Sequence, residues 1–175
     1  MLVIVVVGLA RSGKDTVAKY LVEKHGFKQL DFFRDVIVPL MKSHGLEITK
    51  ANAASFGNEM RAKYGMGVFG KKIAELMKGY EKVVVTGARS PEELTPIEAL
   101  AERFHILRVE APKELRFSRR TELDPQSQEE FFARDKNDIE NKGLGKVLEL
   151  ADLVIVNNST LDELYKAIDE LMEKL

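Results

Sequence analysis

Gly8-Leu9-Ala10-Arg11-Ser12-Gly13-Lys14 has the spacing G-x-x-x-x-G-K, in which two glycines and a lysine can enclose a polyphosphate. Gly8 and Gly13 permit backbone angles that turn successive N–H groups inward, with Arg11 and Ser12 inside the loop between them. A helix opening at Lys14 adds the positive end of its dipole, and the Lys14 ammonium adds a full charge near the β- and γ-phosphates. The competing reading is an ordinary tight turn with Lys14 solvated, but an apolar run before the loop and a helical pattern after it favour phosphate binding. One position departs from the usual pattern. The hydroxyl expected directly after the lysine comes one residue later, as Thr16, with Asp15 between them. Mg2+ is then expected to be held through Asp15 and Thr16 or through waters.

The elements that must position this loop follow from hydropathy. Leu2 to Val7 is a continuous apolar run, the pattern of a strand buried on both faces, and Val83 to Val85, Ile106 to Val109 and Leu153 to Val156 repeat it. A weaker strand is predicted over Phe27 to Leu30, ending at Asp31. Val17, Tyr20, Leu21 and Lys24 have helical spacing, stopped by His25-Gly26. Ser90-Pro91-Glu92-Glu93 predicts a capped helix start, and Thr160 with Glu163 predicts another. Behind Thr160, Leu161, Leu164, Tyr165, Ile168, Leu171 and Met172 form an amphipathic stripe. Strands alternating with helices predict an α/β domain with a parallel sheet, helices on both faces, and ligands beyond the carboxyl ends of the strands.

The chain has 175 residues, the size of one domain. Its 27 Lys and Arg against 28 Asp and Glu leave no basic field for long nucleic acid, so any bound anion is small and local. The absence of cysteine excludes thiol nucleophiles and Cys-ligated metal. No apolar run approaches the ~20 residues of a membrane span, and a cytoplasmic location is expected. His25, His44 and His105 are scattered, with no partner at metal or triad spacing. A switch GTPase is disfavoured, because Asn141-Lys142-Gly143-Leu144 lacks the Asp of an N/T-K-x-D segment. Compact phosphotransferases remain, and these need further cations for a second substrate.

Gly8 to Thr16, Asp31-Phe32-Phe33-Arg34, Thr86-Gly87-Ala88-Arg89-Ser90, Arg134-Asp135 and Ala151-Asp152 to Asn157 follow one another as in the archaeal adenylate-kinase-related nucleotide kinases. The chain resembles that family over nearly its whole length, and through it the nucleoside monophosphate kinases and dephospho-CoA kinases. The resemblance implies a three-layer P-loop NTPase fold with a five-stranded parallel sheet, an acceptor-binding helical segment at about 31–80 and a short lid at about 116–140. It also implies transfer of a phosphoryl group from ATP, with Mg2+, to a small nucleotide acceptor.

Carried across residue by residue, the resemblance places Asn157 with Gly8 to Thr16 around ATP. It places Asp31, Arg34, Arg61, Gly67 and Arg89 at the acceptor, and Lys14, Arg89, Arg119, Arg120 and Arg134 at the transferring group, with Arg116 a further lid candidate. Guanidinium groups fork onto phosphate oxygens, which suits Arg34 and Arg89 at neighbouring strand ends. Competing readings are a surface ion pair of Arg34 with Asp35, a cap-side position for Arg89, and a simple helix–helix turn at Gly65 and Gly67. Thr86 stands where the relatives commonly carry an Asp that orients the metal, and the lid is short. Two alternatives therefore accompany the nucleoside monophosphate kinase reading. One is dephospho-CoA kinase with Asp31 as general base, and the other is a nucleotide-binding sensor with weak catalysis. Oligomeric state is left open.

Overall fold

Leu2–Val7 forms β1, and all six side chains are buried, as an apolar strand at the centre of a sheet requires. In the computed structural model, which describes residues 1–175, β1 is flanked by β3 (Lys82–Thr86) and β4 (Arg103–Glu110). β2 (Lys28–Asp31) pairs outside β3 and β5 (Leu153–Val156) outside β4. The five strands are all parallel in the order β2-β3-β1-β4-β5. The expected three-layer architecture is present. Alternate residues of β1 feed two cores: Val3, Val5 and Val7 pack with Phe69, Ile73, Met77 and Ile97, while Leu2, Ile4 and Val6 pack with Val17, Leu21 and Ile168. Burying each such side chain stabilises the fold by about 1.5–3 kcal/mol.

The second face is covered by α1 (Lys14–His25) and α9 (Leu161–Met172). α1 ends at Gly26, whose φ of 72° suits a glycine, and the Thr160 hydroxyl accepts the Glu163 N–H to start α9. Leu161 departs from the predicted stripe: it lies in the exposed first turn, 57% accessible. The first face is covered by a longer excursion after β2. It comprises a π-helical turn (Phe32–Ile37) running into α2 (Val38–Ser43), then α3 (Lys50–Tyr64), α4 (Val68–Met77) and, after β3, α5 (Pro91–Glu98). Between β4 and β5 lie α6 (Lys113–Ser118), α7 (Gln128–Glu140) and α8 (Leu144–Glu149). No helix is long and apolar enough to cross a membrane.

Two local expectations are revised. β2 begins at Lys28, one residue later than the apolar run suggests, and ends at Asp31 as expected, where Asp31 pairs in register with Thr86 of β3. The Ser90–Glu93 capping box does not form: α5 starts at Pro91, but the Ser90 hydroxyl is enclosed with no partner and the Glu93 carboxylate is engaged elsewhere.

Candidate active site at the carboxyl ends of the strands

The loop from Gly8 to Lys14 joins β1 to α1 at the carboxyl edge of the sheet. Its curvature depends on two left-handed residues, Gly13 at φ 102° and Arg11 at φ 63°, the only non-glycine residue with a positive φ. Alternating handedness turns backbone N–H groups towards one concave side, the arrangement that cradles phosphate oxygens. Gly13 is further constrained by space, since a Cβ there would collide with the Asn157 side-chain amide. That amide donates to the Ser12 carbonyl at 2.9 Å, so Asn157 braces the loop from behind. Lys14 is half-buried and takes part in none of the protein's ion pairs, which leaves its ammonium free for a ligand. The residues therefore fit a polyphosphate. Asp15 is exposed and Thr16 half-buried in the first turn of α1. No three acidic or histidine side chains gather into a metal cage, which suits a cation held mostly by phosphate oxygens with one or two protein oxygens. A cavity of about 440 Å3 opens beside the loop, lined by Gly8, Ser12, Glu110, Lys113, Arg116 and Leu148 among others, large enough for a small ligand.

At the end of β2, Asp31 accepts the Arg34 N–H at 2.8 Å through one oxygen and the Thr86 hydroxyl at 2.7 Å through the other. A carboxylate, that of Asp31, thus stands beside Thr86 across the strand pair. An Asp at position 86 would face it at contact distance, and two like charges so close oppose ionisation. Arg34 is folded onto its neighbour: Nε and Nη2 donate to the two oxygens of Asp35 at 3.0 and 2.7 Å. Burial alone would raise the Asp35 carboxyl, but the Arg34 guanidinium and the Asp31 N–H outweigh it and lower it. The Arg89 side chain is exposed at the mouth of β3 and enters none of the ion pairs named above.

The Arg89 backbone and Arg61 are joined by a residue whose role the sequence did not indicate. Glu93 is 1% exposed; one oxygen accepts Arg61 Nη2 at 3.0 Å and the other accepts the Arg89 N–H at 2.8 Å. The Arg61 guanidinium also lies over the Phe69 ring, 5.0 Å from its centre. α4 reaches Glu93 through glycines: a Cβ on Gly70 would collide with the Glu93 carbonyl, and one on Gly67 would lie 2.8 Å from the Glu92 carbonyl. Gly67 is thereby placed against the backbone of α5, and Arg61 against Glu93. Glu93→Gln should lower stability by about 1–3 kcal/mol in chemical denaturation, because a buried charged partner of Arg61 is lost. An unchanged denaturation midpoint would contradict that role.

The four arginines of the 116–140 segment divide into distinct environments. Arg116, a lid candidate from its spacing, is 2% exposed and fully engaged. It forks onto Asp135 at 3.1 and 2.7 Å and donates to the carbonyls of Ala10 and Ala111. It ties loop, α6 and α7 together, with its donors occupied by Asp135 and two carbonyls. Arg119 donates to the carbonyls of Arg11, Ser12 and Asn157 at 3.0–3.4 Å, and burial pushes its guanidinium down from the ordinary value. Arg120 stacks on Phe117, 4.0 Å from the ring centre, with its Nε enclosed and unpartnered. Arg134 donates through Nη1 to Asp124 at 2.7 Å, while its Nε and Nη2 are enclosed without a partner. Arg11, a loop residue, also turns its side chain to Asp124. Burial would raise the Asp124 carboxyl, but the Thr121 N–H and the guanidinium groups of Arg134 and Arg11 hold it well below the usual carboxylate range. Its contribution to stability is therefore complete above about pH 4 and is lost as the pH falls towards that depressed value.

No protein-family model matches the chain. Among solved structures it is similar to the shikimate kinase of Bacteroides thetaiotaomicron, with TM-score 0.59 and 14% identity over 98% of this chain and 97% of that one. It is also similar to the shikimate kinase of Acinetobacter baumannii in complex with shikimate, with TM-score 0.56 and 22% identity over 99% and 94%. At these identities the likeness shows the fold alone. Sequence relatives are closer. The UPF0200 protein of Thermococcus onnurineus is 32% identical across 99% of this chain and 98% of its own length. A UPF0200/UPF0201 protein of Archaeoglobus fulgidus is 32% identical across all of this chain but only 56% of its own length. With identity at this level sustained from end to end, the chain belongs to the UPF0200 family.

Proposed function

We propose that the protein is an ATP- and Mg2+-dependent phosphotransferase whose acceptor is a small phosphate-bearing molecule, a nucleoside monophosphate. The observation that carries this reading is the free Lys14 ammonium in a glycine-curved loop, with the uncommitted Arg89 just past the end of β3, the strand beside β2. The loop N–H groups and Lys14 hold the triphosphate. Bound Mg2+ would offset charge on the β- and γ-phosphate oxygens, with Asp15 and Thr16 the residues that would hold it. Arg89 grips the acceptor phosphate, and Arg34 joins it by exchanging Asp35 for that phosphate. The acceptor oxygen is already anionic, so the chain needs to align and shield rather than remove a proton. Arg119, Arg120 and Arg134 belong to the lid in this reading, with Arg120 and Arg134 carrying enclosed guanidinium donors that have no partner within the chain. Arg89→Ala should raise the acceptor KM by about 10- to 100-fold, the worth of a charge-assisted hydrogen bond, with the ATP KM unchanged. A rise confined to the ATP KM would overturn the assignment of Arg89.

Asp31 favours a second reading, in which the acceptor presents a hydroxyl, as dephospho-CoA does. Its carboxylate lies at the acceptor side of the sheet edge and could take a proton there. Asp31→Asn separates the two: for a hydroxyl acceptor kcat falls by about 100-fold or more, while for a phosphate acceptor kcat holds within a few-fold. The remaining alternative, a nucleotide sensor, corresponds to ATP binding without transfer.

A further inference from the structure

Asp124 sits in a stretch, residues 121–127, that is otherwise open to solvent, with Leu123 89% exposed, yet the Asp124 side chain is only 7% accessible. What encloses it is a cage of donors from two separate parts of the chain. Oδ2 accepts Arg11 Nε at 2.7 Å, lies 2.6 Å from Arg11 Nη2 and accepts the Thr121 N–H at 2.9 Å. Oδ1 accepts Arg134 Nη1 at 2.7 Å. One carboxylate, 113 residues from Arg11 in sequence, thereby joins the middle of the phosphate loop to α7.

The cage is unequal. Arg11 is satisfied on both its near nitrogens and also donates to the Thr121 hydroxyl at 2.9 Å. Arg134 spends one nitrogen only, and its Nε and Nη2 are shut off from water with no acceptor, as is the Nε of Arg120. Guanidinium donors removed from water and left unpaired are unfavourable, so the arrangement is completed only when an anionic oxygen is supplied. Two cations against one carboxylate also leave a net positive charge at the joint.

We propose that Asp124 is a positioning residue that clamps α7 to the phosphate loop through Arg134 and Arg11 and keeps the enclosed Nε–Nη2 edge of Arg134 unpaired, to be taken up by a phosphoryl oxygen of the bound nucleotide. This rests on the kinase reading above. The Asp124–Arg134 bond fixes the guanidinium plane, and the Asp124–Arg11 bond ties that plane to the loop that holds the phosphates. The clamp thus stands before the nucleotide arrives and spares the enzyme ordering Arg134 during turnover.

The test uses the full-length chain and its Asp124→Asn and Asp124→Glu variants. Hydrogen–deuterium exchange at residues 121–127 and α7 is followed without nucleotide and with Mg-ATP. Release of inorganic phosphate is followed beside transfer to nucleoside monophosphates. Asp124→Asn should speed exchange at 121–127 by about 10-fold or more, and should lower transfer kcat by about 10- to 100-fold with the acceptor KM unchanged. The ratio of phosphate release to transfer should rise, because a loosened segment admits water, and Asp124→Glu should recover most of the rate. Faster exchange with an unchanged kcat and release ratio would make Asp124 a structural staple and overturn the proposal, as would unchanged exchange. If the wild type transfers phosphate to no acceptor, the kinase reading fails by itself. The clamp is then decided by whether Mg-ATP protects α7 around Arg134 in the wild type and not in Asp124→Asn.

Discussion

Lys14→Ala should lose phosphotransfer by about 100- to 1,000-fold or more, the scale seen when one preorganised donor to developing charge is removed. The loss should fall on kcat and on the ATP KM together, because the ammonium serves both the bound phosphates and the charge that spreads over the transferring group. Stability should hardly change. Lys14 is half-buried at the first position of α1, engages no carboxylate of the chain, and alanine is at least as good a helix former there. Thermal unfolding beside the activity assay separates the two outcomes. A melting temperature within a few degrees of wild type with activity gone supports the role, and wild-type activity in the variant contradicts it.

Asp135→Ala should have the largest effect on stability. Arg116 and Asp135 are 2% and 6% exposed, and removing the carboxylate leaves a guanidinium buried with two carbonyls as its remaining acceptors. Breaking a buried ion pair from one side costs about 3–5 kcal/mol, which for a chain of this size is roughly 6–20 °C of melting temperature. The damage should reach the site, since Arg116 also holds the Ala10 carbonyl inside the phosphate loop, and the ATP KM should rise. Replacing both partners, Arg116→Met with Asp135→Leu, should restore much of the stability because neither charge is then stranded. A double variant no more stable than Asp135→Ala would show that the ion pair is not what Asp135 supplies.

The sheet and the phosphate loop were legible because their signals are local. A six-residue apolar strand, a glycine at each bend and a lysine at a helix start specify β1, the loop and α1 without reference to anything distant. The strand ends Asp31 and Thr86 were legible as separate polar positions. Their hydrogen bond was not, since it requires knowing that β2 lies beside β3 rather than beside β1. Arginines proved harder to read than glycines. Arg116, Arg119, Arg120 and Arg134 look alike in sequence, yet one is a buried structural tie, one rests on loop carbonyls and two keep enclosed donors without a partner. Arg116 and Arg134 are set apart by the acids they meet, Asp135 and Asp124, which lie 19 and 10 residues away in the chain, whereas Arg119 and Arg120 meet none. Glu93 misled for a related reason. Its spacing from Ser90 fits a capping box, but the half-buried Arg61 brought in by α3 is a stronger partner for the buried carboxylate than the end of a helix.

The proposed activity is the joint work of the loop and the arginines at the strand ends, moving a phosphoryl group from ATP to a small phosphate-bearing acceptor. Its most direct test is transfer of labelled γ-phosphate from ATP with Mg2+ to ribo- and deoxynucleoside monophosphates, with dephospho-CoA and shikimate as hydroxyl acceptors and a control without acceptor. The account predicts label on a nucleoside monophosphate, abolished by Lys14→Ala and weakened through the acceptor KM by Arg89→Ala. Label on a hydroxyl acceptor alone, or tight ATP binding with label on no acceptor, would contradict it.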